Sequence, residues 1–264
     1  MSDPSEHQAQ FRFYAELNDF LPRRRRQQDF VHRFNGAPSV KDTIEAIGIP
    51  HTEVDLILVD GKSVGFDHPM RAGERVAVYP VFEGLDISPL NRLRETPLRD
   101  PRFVLDVHLG KLARRLRMLG FDAAYGNDAD DPELAAISVR EGRILLTRDL
   151  GLLKRGAVTH GYWVRSTQPE RQVGEVLNRF DLFSRIAPFT RCTACNGPVV
   201  PVEKREVWER LPERTKRHHD AFHICRDCRR IYWKGSHYRG LTAMVESLVE
   251  KLVEKAEASS VEGE

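Results

Sequence analysis

Two CxxC pairs constrain this chain more than any other feature. Arg191-Cys192-Thr193-Ala194-Cys195-Asn196-Gly197 and Cys225-Arg226-Asp227-Cys228 are separated by the 29 residues 196–224 and hold all 4 cysteines of the sequence. Each pair lets two thiolates grip one ion, and two such knuckles complete a tetrahedral sulfur site of the kind that binds zinc. The competing reading, redox dithiols, normally needs one CxxC near a strand-to-helix turn. A closed four-sulfur shell leaves no position for water, so the expected zinc is structural. His218, His219 and His223 lie close in sequence, but four cysteines already satisfy the metal. These histidines read as surface or phosphate-contacting residues.

The 264 residues are 41% apolar and 30% charged, enough for two domains with cores. No run approaches the roughly 18 apolar residues of a membrane span. The start, MSDPSEHQAQ, lacks the basic-then-apolar order of a signal peptide. A cytoplasmic location is expected, where paired cysteines favour metal over disulfides. The net charge of +2 hides a segregation. Residues 1–101 carry 13 Lys+Arg against 16 Asp+Glu, residues 102–240 carry 26 against 17, and residues 241–264 carry 2 against 6. A basic middle segment draws polyanions and makes nucleic acid the leading partner class. Solvated surface arginines are the plainer explanation of the same charge.

The first segment reads as strand (11–17), strand (29–35), helix (39–47), strand (55–59), a turn at Asp60-Gly61, and strand (75–82). Phe11, Phe13 and Ala15 alternate with polar neighbours, as do Val76 and Val78. Ser39 suits an N-cap and Gly48 a C-terminal stop. Strands around one short helix predict a β-grasp, ubiquitin-like module over 9–85, followed by a Pro- and Arg-rich linker over 86–101. From Arg102 strands and helices alternate, which predicts an α/β domain with a parallel sheet over 102–188. The zinc ribbon spans 189–240. In the first helix of the α/β segment, Leu109, Leu112, Leu116 and Leu119 share one face. Lys111, Arg114, Arg115 and Arg117 cover the other, with Met118 an exception among them.

In an open parallel sheet the reactive edge lies at the carboxyl ends of the strands. Asp106, Asp131 and Asp149 fall there, after the first, second and third strands, and crossover connections would turn them toward one crevice. Clustered carboxylates call for a cation, and hard oxygen ligands suit magnesium or manganese. Such a site can activate water against a phosphodiester. Each of these acids also precedes a helix, where Asp is a favoured N-cap, and Asp131-Pro132 has the order of a cap followed by proline. Both readings stay open at this point.

Phe103-Val104-Leu105-Asp106, Leu109-Gly110-Lys111-Leu112-Ala113-Arg114 and Leu116-Arg117-Met118-Leu119-Gly120 resemble the opening of the Mut-seven C-terminal RNase domain family. Arg143-Ile144-Leu145-Leu146-Thr147-Arg148-Asp149 is similar to its central motif. The first knuckle, with Cys228 and Tyr232-Trp233-Lys234-Gly235-Ser236-His237, is similar to its ribbon. The first segment, including Val54-Asp55-Leu56-Ile57-Leu58 and Val78-Tyr79-Pro80-Val81-Phe82, resembles the ubiquitin-like domain often fused upstream. The resemblance implies a PIN-like, divalent-metal-dependent ribonuclease, with Asp106, Asp131 and Asp149 on the family's acidic positions and Asp128 a further acid. Asp130 fits the pattern less well. Arg115 stands where an aromatic residue is expected. RNA is the implied partner, with Lys111, Arg114, Arg115 and Arg148 as its contacts.

A second function class is a non-catalytic RNA- or ribosome-binding protein that uses the ribbon and basic helix. A sulfur carrier needs a free carboxy-terminal Gly-Gly, whereas Phe82-Glu83-Gly84-Leu85 runs on into the linker. The upstream module is also a candidate for recruiting a protein. Arg23–Arg26, after Pro22, reads as a solvated turn. Leu241, Val245, Leu248 and Leu252 predict an amphipathic helix in 241–264 that folds back on its own chain. As a self-association seam, its roughly two heptads are short.

Overall fold

Strand β1 (Glu6–Phe13) is longer than its apolar half. In this computed structural model, which describes residues 6–80, 93, 101–235, 242–243 and 246–247, the polar half pairs with β2 (Phe30–Asn35) from Glu6 opposite Asn35 onward. Backbone pairing there outweighs the missing apolar alternation. Helix α1 (Val40–Ile47) begins where Ser39 Oγ accepts the Asp42 N–H at 3.1 Å, and it stops at Gly48. Strands β3 (Leu56–Val59) and β4 (Lys62–Ser63) join through Asp60 and Gly61, both at positive φ, as a tight hairpin requires. Strand β5 (Arg75–Tyr79) completes the sheet in the order β2-β1-β5-β3-β4, with β1 and β5 parallel and the other pairs antiparallel. Phe11, Phe13, Ile57 and Val78 from the sheet meet Val40 and Ile44 of α1 in one core. This is the expected ubiquitin-like module. One strand is corrected: Ala15–Phe20 is a 3₁₀ turn. Ala15 takes φ +45°, and the buried Asn18 amide donates to Phe13 O at 2.9 Å and Ala15 O at 3.0 Å.

Downstream come β6 (Phe103–Leu105), α2 (Gly110–Met118), β7 (Ala123–Tyr125), α3 (Asp131–Glu141), β8 (Ile144–Thr147), α4 (Leu150–Leu153), β9 (Gly161–Trp163) and α5 (Pro169–Arg179). Strands β6 and β7 pair in parallel, as do β8 and β9, and each second strand is reached through a helix. The ribbon follows: β10 (Val199–Val202), α6 (Lys204–Val207), α7 (Glu213–His218), β11 (Phe222–Cys225) and β12 (Ile231–Trp233). Its antiparallel sheet, in the order β10-β11-β12, covers Val207, Leu211, Phe222 and Ile224. The proposed linker, apart from Leu93 and Pro101, lies outside the described residues, as do Leu241, Val245, Leu248 and Leu252 of the carboxy-terminal stripe.

Packing divides the chain into two compact units, 1–101 with 130–163, and 102–129 with 164–264. In the first, the segment through β9 is tied to the ubiquitin-like module. The Trp163 N–H donates to the fully buried Glu53 at 2.5 Å, the Trp163 and Phe20 rings lie 5.1 Å apart, and Lys154 Nζ donates to Glu45 O at 2.9 Å. In the second unit, the segment that leads into the ribbon lies along the end of α2. Ala187 N–H donates to Leu119 O and Phe189 N–H to Met118 O. Gly120 sits at that crossing with φ +96°, and a Cβ there would lie 2.2 Å from Ala187 O and 2.7 Å from Thr190 Oγ1. Gly120→Ala is therefore expected to destabilise this unit by about 2 kcal/mol or more, because left-handed strain and a backbone clash coincide. Urea denaturation followed by intrinsic fluorescence checks this; an unchanged midpoint would refute it.

Candidate metal centre and acidic strand ends

The two knuckles are built alike. In the first, Cys192 N–H donates to Gly197 O and Asn196 N–H to Cys192 O, at 2.8 and 2.9 Å. In the second, Cys225 N–H donates to Arg230 O and Arg229 N–H to Cys225 O, at 2.9 and 3.1 Å. The residue after each second cysteine turns left-handed, with φ +72° at Asn196 and +62° at Arg229. Both turns thus fold their cysteine pairs around one point. All four Sγ atoms lie within 4.8 Å of one another, with Cys192–Cys228 at 3.5 Å and Cys195–Cys225 at 3.4 Å. A disulfide needs about 2.05 Å. A zinc tetrahedron with Zn–S near 2.3 Å has edges of about 3.8 Å, so the donor set and its spacing fit a zinc ion. Among the described residues, this is the set of three or more His, Cys, Asp or Glu side chains that comes together so, and His218, His219 and His223 are not part of it.

The thiols do not share one electrostatic state. Partial desolvation of its sulfur in an otherwise exposed residue, helped by the other three sulfurs, pushes Cys228 up to about 12, and burial raises Cys225. Burial acts the same way on Cys192, but the Tyr232 hydroxyl at 3.0 Å and the N–H groups of Cys195 and Ala194 prevail and bring it to about 6. A dication among the sulfurs favours the thiolate form of all four.

The acids occupy helix starts. Asp106, after β6, is buried, and its Oδ1 accepts the His108 N–H at 3.4 Å. Asp149, after β8, is exposed, and its Oδ1 accepts the Gly151 N–H at 2.7 Å as the cap of α4. The cap of α3 is Asp130, which accepts the Glu133 N–H at 2.9 Å, rather than Asp131. Asp131 is the first residue of the helix, half-exposed and 3.5 Å from Arg155. Pro132 therefore stands at the second helical position, one residue further into the helix than the cap-then-proline order implies. Asp128 is exposed in the preceding loop. Asp131 and Asp149 belong to the first unit, Asp106 and Asp128 to the second.

Residues 101–245, more than half of the chain, match the family described as the Mut7-C RNAse domain. The chain belongs to that family. Residues 6–86 match Mut7-C ubiquitin. A human protein, "Exonuclease mut-7 homolog", is 38% identical over 123 residues. The match covers 44% of this chain and 14% of that protein, so the chain spans a small part of the relative's length. No solved structure matches. Among the described residues, no helix is long and apolar enough to cross a membrane.

Within the Mut7-C RNase domain the basic residues of α2 separate into three kinds. Lys111 and Arg114 are exposed, whereas Arg115 is half-buried and paired with Glu170 of α5. Arg117 corrects the sequence reading: it is 5% exposed, not on the solvent face, and Met118 is buried with it. Arg148 is half-buried, and its carbonyl accepts the Trp163 indole N–H at 3.3 Å. Sequence reasoning also passed over Asn196 as a site residue. Its side chain accepts the Ala123 N–H at 2.9 Å and donates to Asp122 at 2.7 Å, clamping the first knuckle to β7. Asparagine is among the few residues that tolerate the left-handed turn there.

Proposed function

We propose that this chain is a divalent-metal-dependent ribonuclease of PIN-like type, which hydrolyses RNA phosphodiester bonds and carries a structural zinc. Membership of the Mut7-C RNAse domain family carries the reading, and the name of the human relative supports it. Asp106, Asp131 and Asp149 are its acidic residues, with Asp128 a further acid. Capping uses one oxygen of Asp149; its Oδ2 has no partner among the described residues and is open to a cation. Carboxylates are hard donors and fit magnesium or manganese, which would supply charge neutralisation for phosphodiester hydrolysis. Lys111 and Arg114 hold the phosphate backbone, Arg115 reaches it after exchange from Glu170, and Arg148 adds a charge beside Asp149. The deciding experiment is cleavage of structured and unstructured RNA with manganese, wild type beside Asp149→Asn. Binding without cleavage by the wild type replaces this reading with a non-catalytic RNA- or ribosome-binding protein.

Replacing Lys111 and Arg114 together by Ala is expected to weaken RNA binding. The log–log salt slope should fall by roughly 0.7 to 0.9 per lost phosphate contact. Adding Arg115→Ala should change the slope less, since that charge is already paired. Filter binding across a salt series checks both statements, and an unchanged slope in the double variant removes α2 from the RNA surface.

A further inference from the structure

Arg117 is a buried cation held by backbone carbonyls, with the Asp122 carboxylate one of several negative groups around it. Its Nε donates to Ala123 O at 2.8 Å, and its Nη1 donates to Ala194 O at 3.0 Å and Thr193 O at 3.4 Å. No ion pair joins it to a carboxylate among the described residues; the nearby Asp122 pairs with Arg191 at 3.2 Å. An isolated guanidinium is costly to bury, so a negative charge near by has to offset it. Four thiolates around one zinc ion carry a net charge of two minus, and Arg117 reaches the turn that holds two of them.

The connection runs through a single peptide group. The Ala194 carbonyl accepts from Arg117, while the N–H of the same peptide, on Cys195, points at Cys192 Sγ at 3.5 Å. A cation on the oxygen end of a peptide strengthens the donor at its nitrogen end, and hydrogen bonds in such a chain reinforce one another. Arg117 thereby stabilises the Cys192 thiolate without touching it, and the thiolate charge stabilises buried Arg117. The other end of the guanidinium holds β7.

We propose that Arg117 is the outer-shell cation of the ribbon's metal centre and that it couples metal loading to the docking of the first knuckle on α2 and β7. The proposal rests on the zinc reading of the cysteine cluster and is independent of nuclease activity. Arg117 is a positioning residue for the metal ligands. Metal loss is expected to loosen the segment from β6 through β7, which carries Asp106 and leads into Asp128, as well as the ribbon.

The test uses the full chain. Arg117→Met and Arg117→Lys are compared with wild type and with Arg214→Met, which removes an exposed charge from the ribbon itself. Zinc release to a colorimetric chelator should be roughly 10- to 100-fold faster in Arg117→Met, the range usual for outer-shell partners of a metal site. Arg117→Lys keeps the charge and should recover part of the loss; Arg214→Met should match wild type. In the cobalt-substituted protein, the thiolate-to-metal charge-transfer band should shift in Arg117→Met, which a purely packing role would not cause. If Arg117→Met is too unstable to purify, amide exchange in wild type decides: stripping the metal should speed exchange over 103–125. Zinc-loaded wild type with unchanged exchange after stripping, or an Arg117→Met protein that releases zinc at the wild-type rate, overturns the coupling alone. Wild type purified without metal overturns the zinc reading together with it.

Discussion

Cys192→Ser and Cys228→Ser should each leave the chain without stoichiometric zinc and unfold the ribbon. Structural zinc in small sulfur sites contributes about 10 to 16 kcal/mol of apparent binding energy, and that energy is also folding energy. The ribbon has little else to draw on. Its apolar core is Val207, Leu211, Phe222 and Ile224 with partly buried neighbours, under a three-stranded sheet. A core of that size does not hold a fold alone. Cys192 is buried and Cys228 exposed, yet both substitutions should have the same outcome, since the tetrahedral shell needs both sulfurs. A packing role would instead make the buried position far more sensitive than the exposed one. The ubiquitin-like module has its own core and should stay folded. Acid should act like the mutations, because protons compete with zinc for the thiolates. Native mass spectrometry and metal analysis read the zinc, and limited proteolysis reads the ribbon. A serine variant that keeps one zinc and resists protease would refute the site, as would a wild type with two disulfides.

The ribbon was legible in the sequence because its signal is local: each knuckle is one short turn, and Cys, Asn196 and Gly197 announce it. The same holds for Ser39 and Gly48 at the ends of α1 and for Asp60-Gly61 between β3 and β4, where a cap or a positive φ restricts the residue type. What escaped depends on partners distant in sequence. The first half of β1 is polar and becomes a strand only because β2 pairs with it. Ala15 gives no hint of its left-handed turn, which the amide of Asn18 holds in place. Arg117 looked like one more surface charge in a basic run. Its burial follows from the knuckle carbonyls of Thr193 and Ala194, some 76 residues away, which no helical period can indicate. Asp130 and Asp131 show the remaining kind of ambiguity. Adjacent residues of one type compete for the cap, and the choice depends on which carboxylate reaches the Glu133 N–H.

Substituting Asn for Asp106, Asp131 and Asp149 one at a time should separate a cap from a catalytic ligand. Asparagine keeps the oxygen that accepts a backbone N–H and removes the charge. Capping tolerates the exchange, since Asn and Asp are nearly equivalent N-caps. Asp149→Asn can still accept from Gly151 N–H, and Asp106→Asn from His108 N–H. Asp131 is not the cap of α3, so Asp131→Asn gives up only a half-exposed pair with Arg155, worth under about 1 kcal/mol. Stability should therefore move by less than about 1 kcal/mol in the Asp131 and Asp149 variants, and relief of carboxylate repulsion can raise it. A hard divalent cation does not tolerate the exchange, because it loses an anionic ligand. Activity on RNA should fall on the order of 100-fold or more, the scale of removing one preorganised charge-stabilising group from an active site. Excess manganese is expected to restore part of it. Alanine would confuse the two roles by removing the cap along with the charge. If all three Asn variants cleave RNA like wild type, the acids are caps. Any cleavage then belongs to other residues, and the basic face of α2 is left as a binding surface.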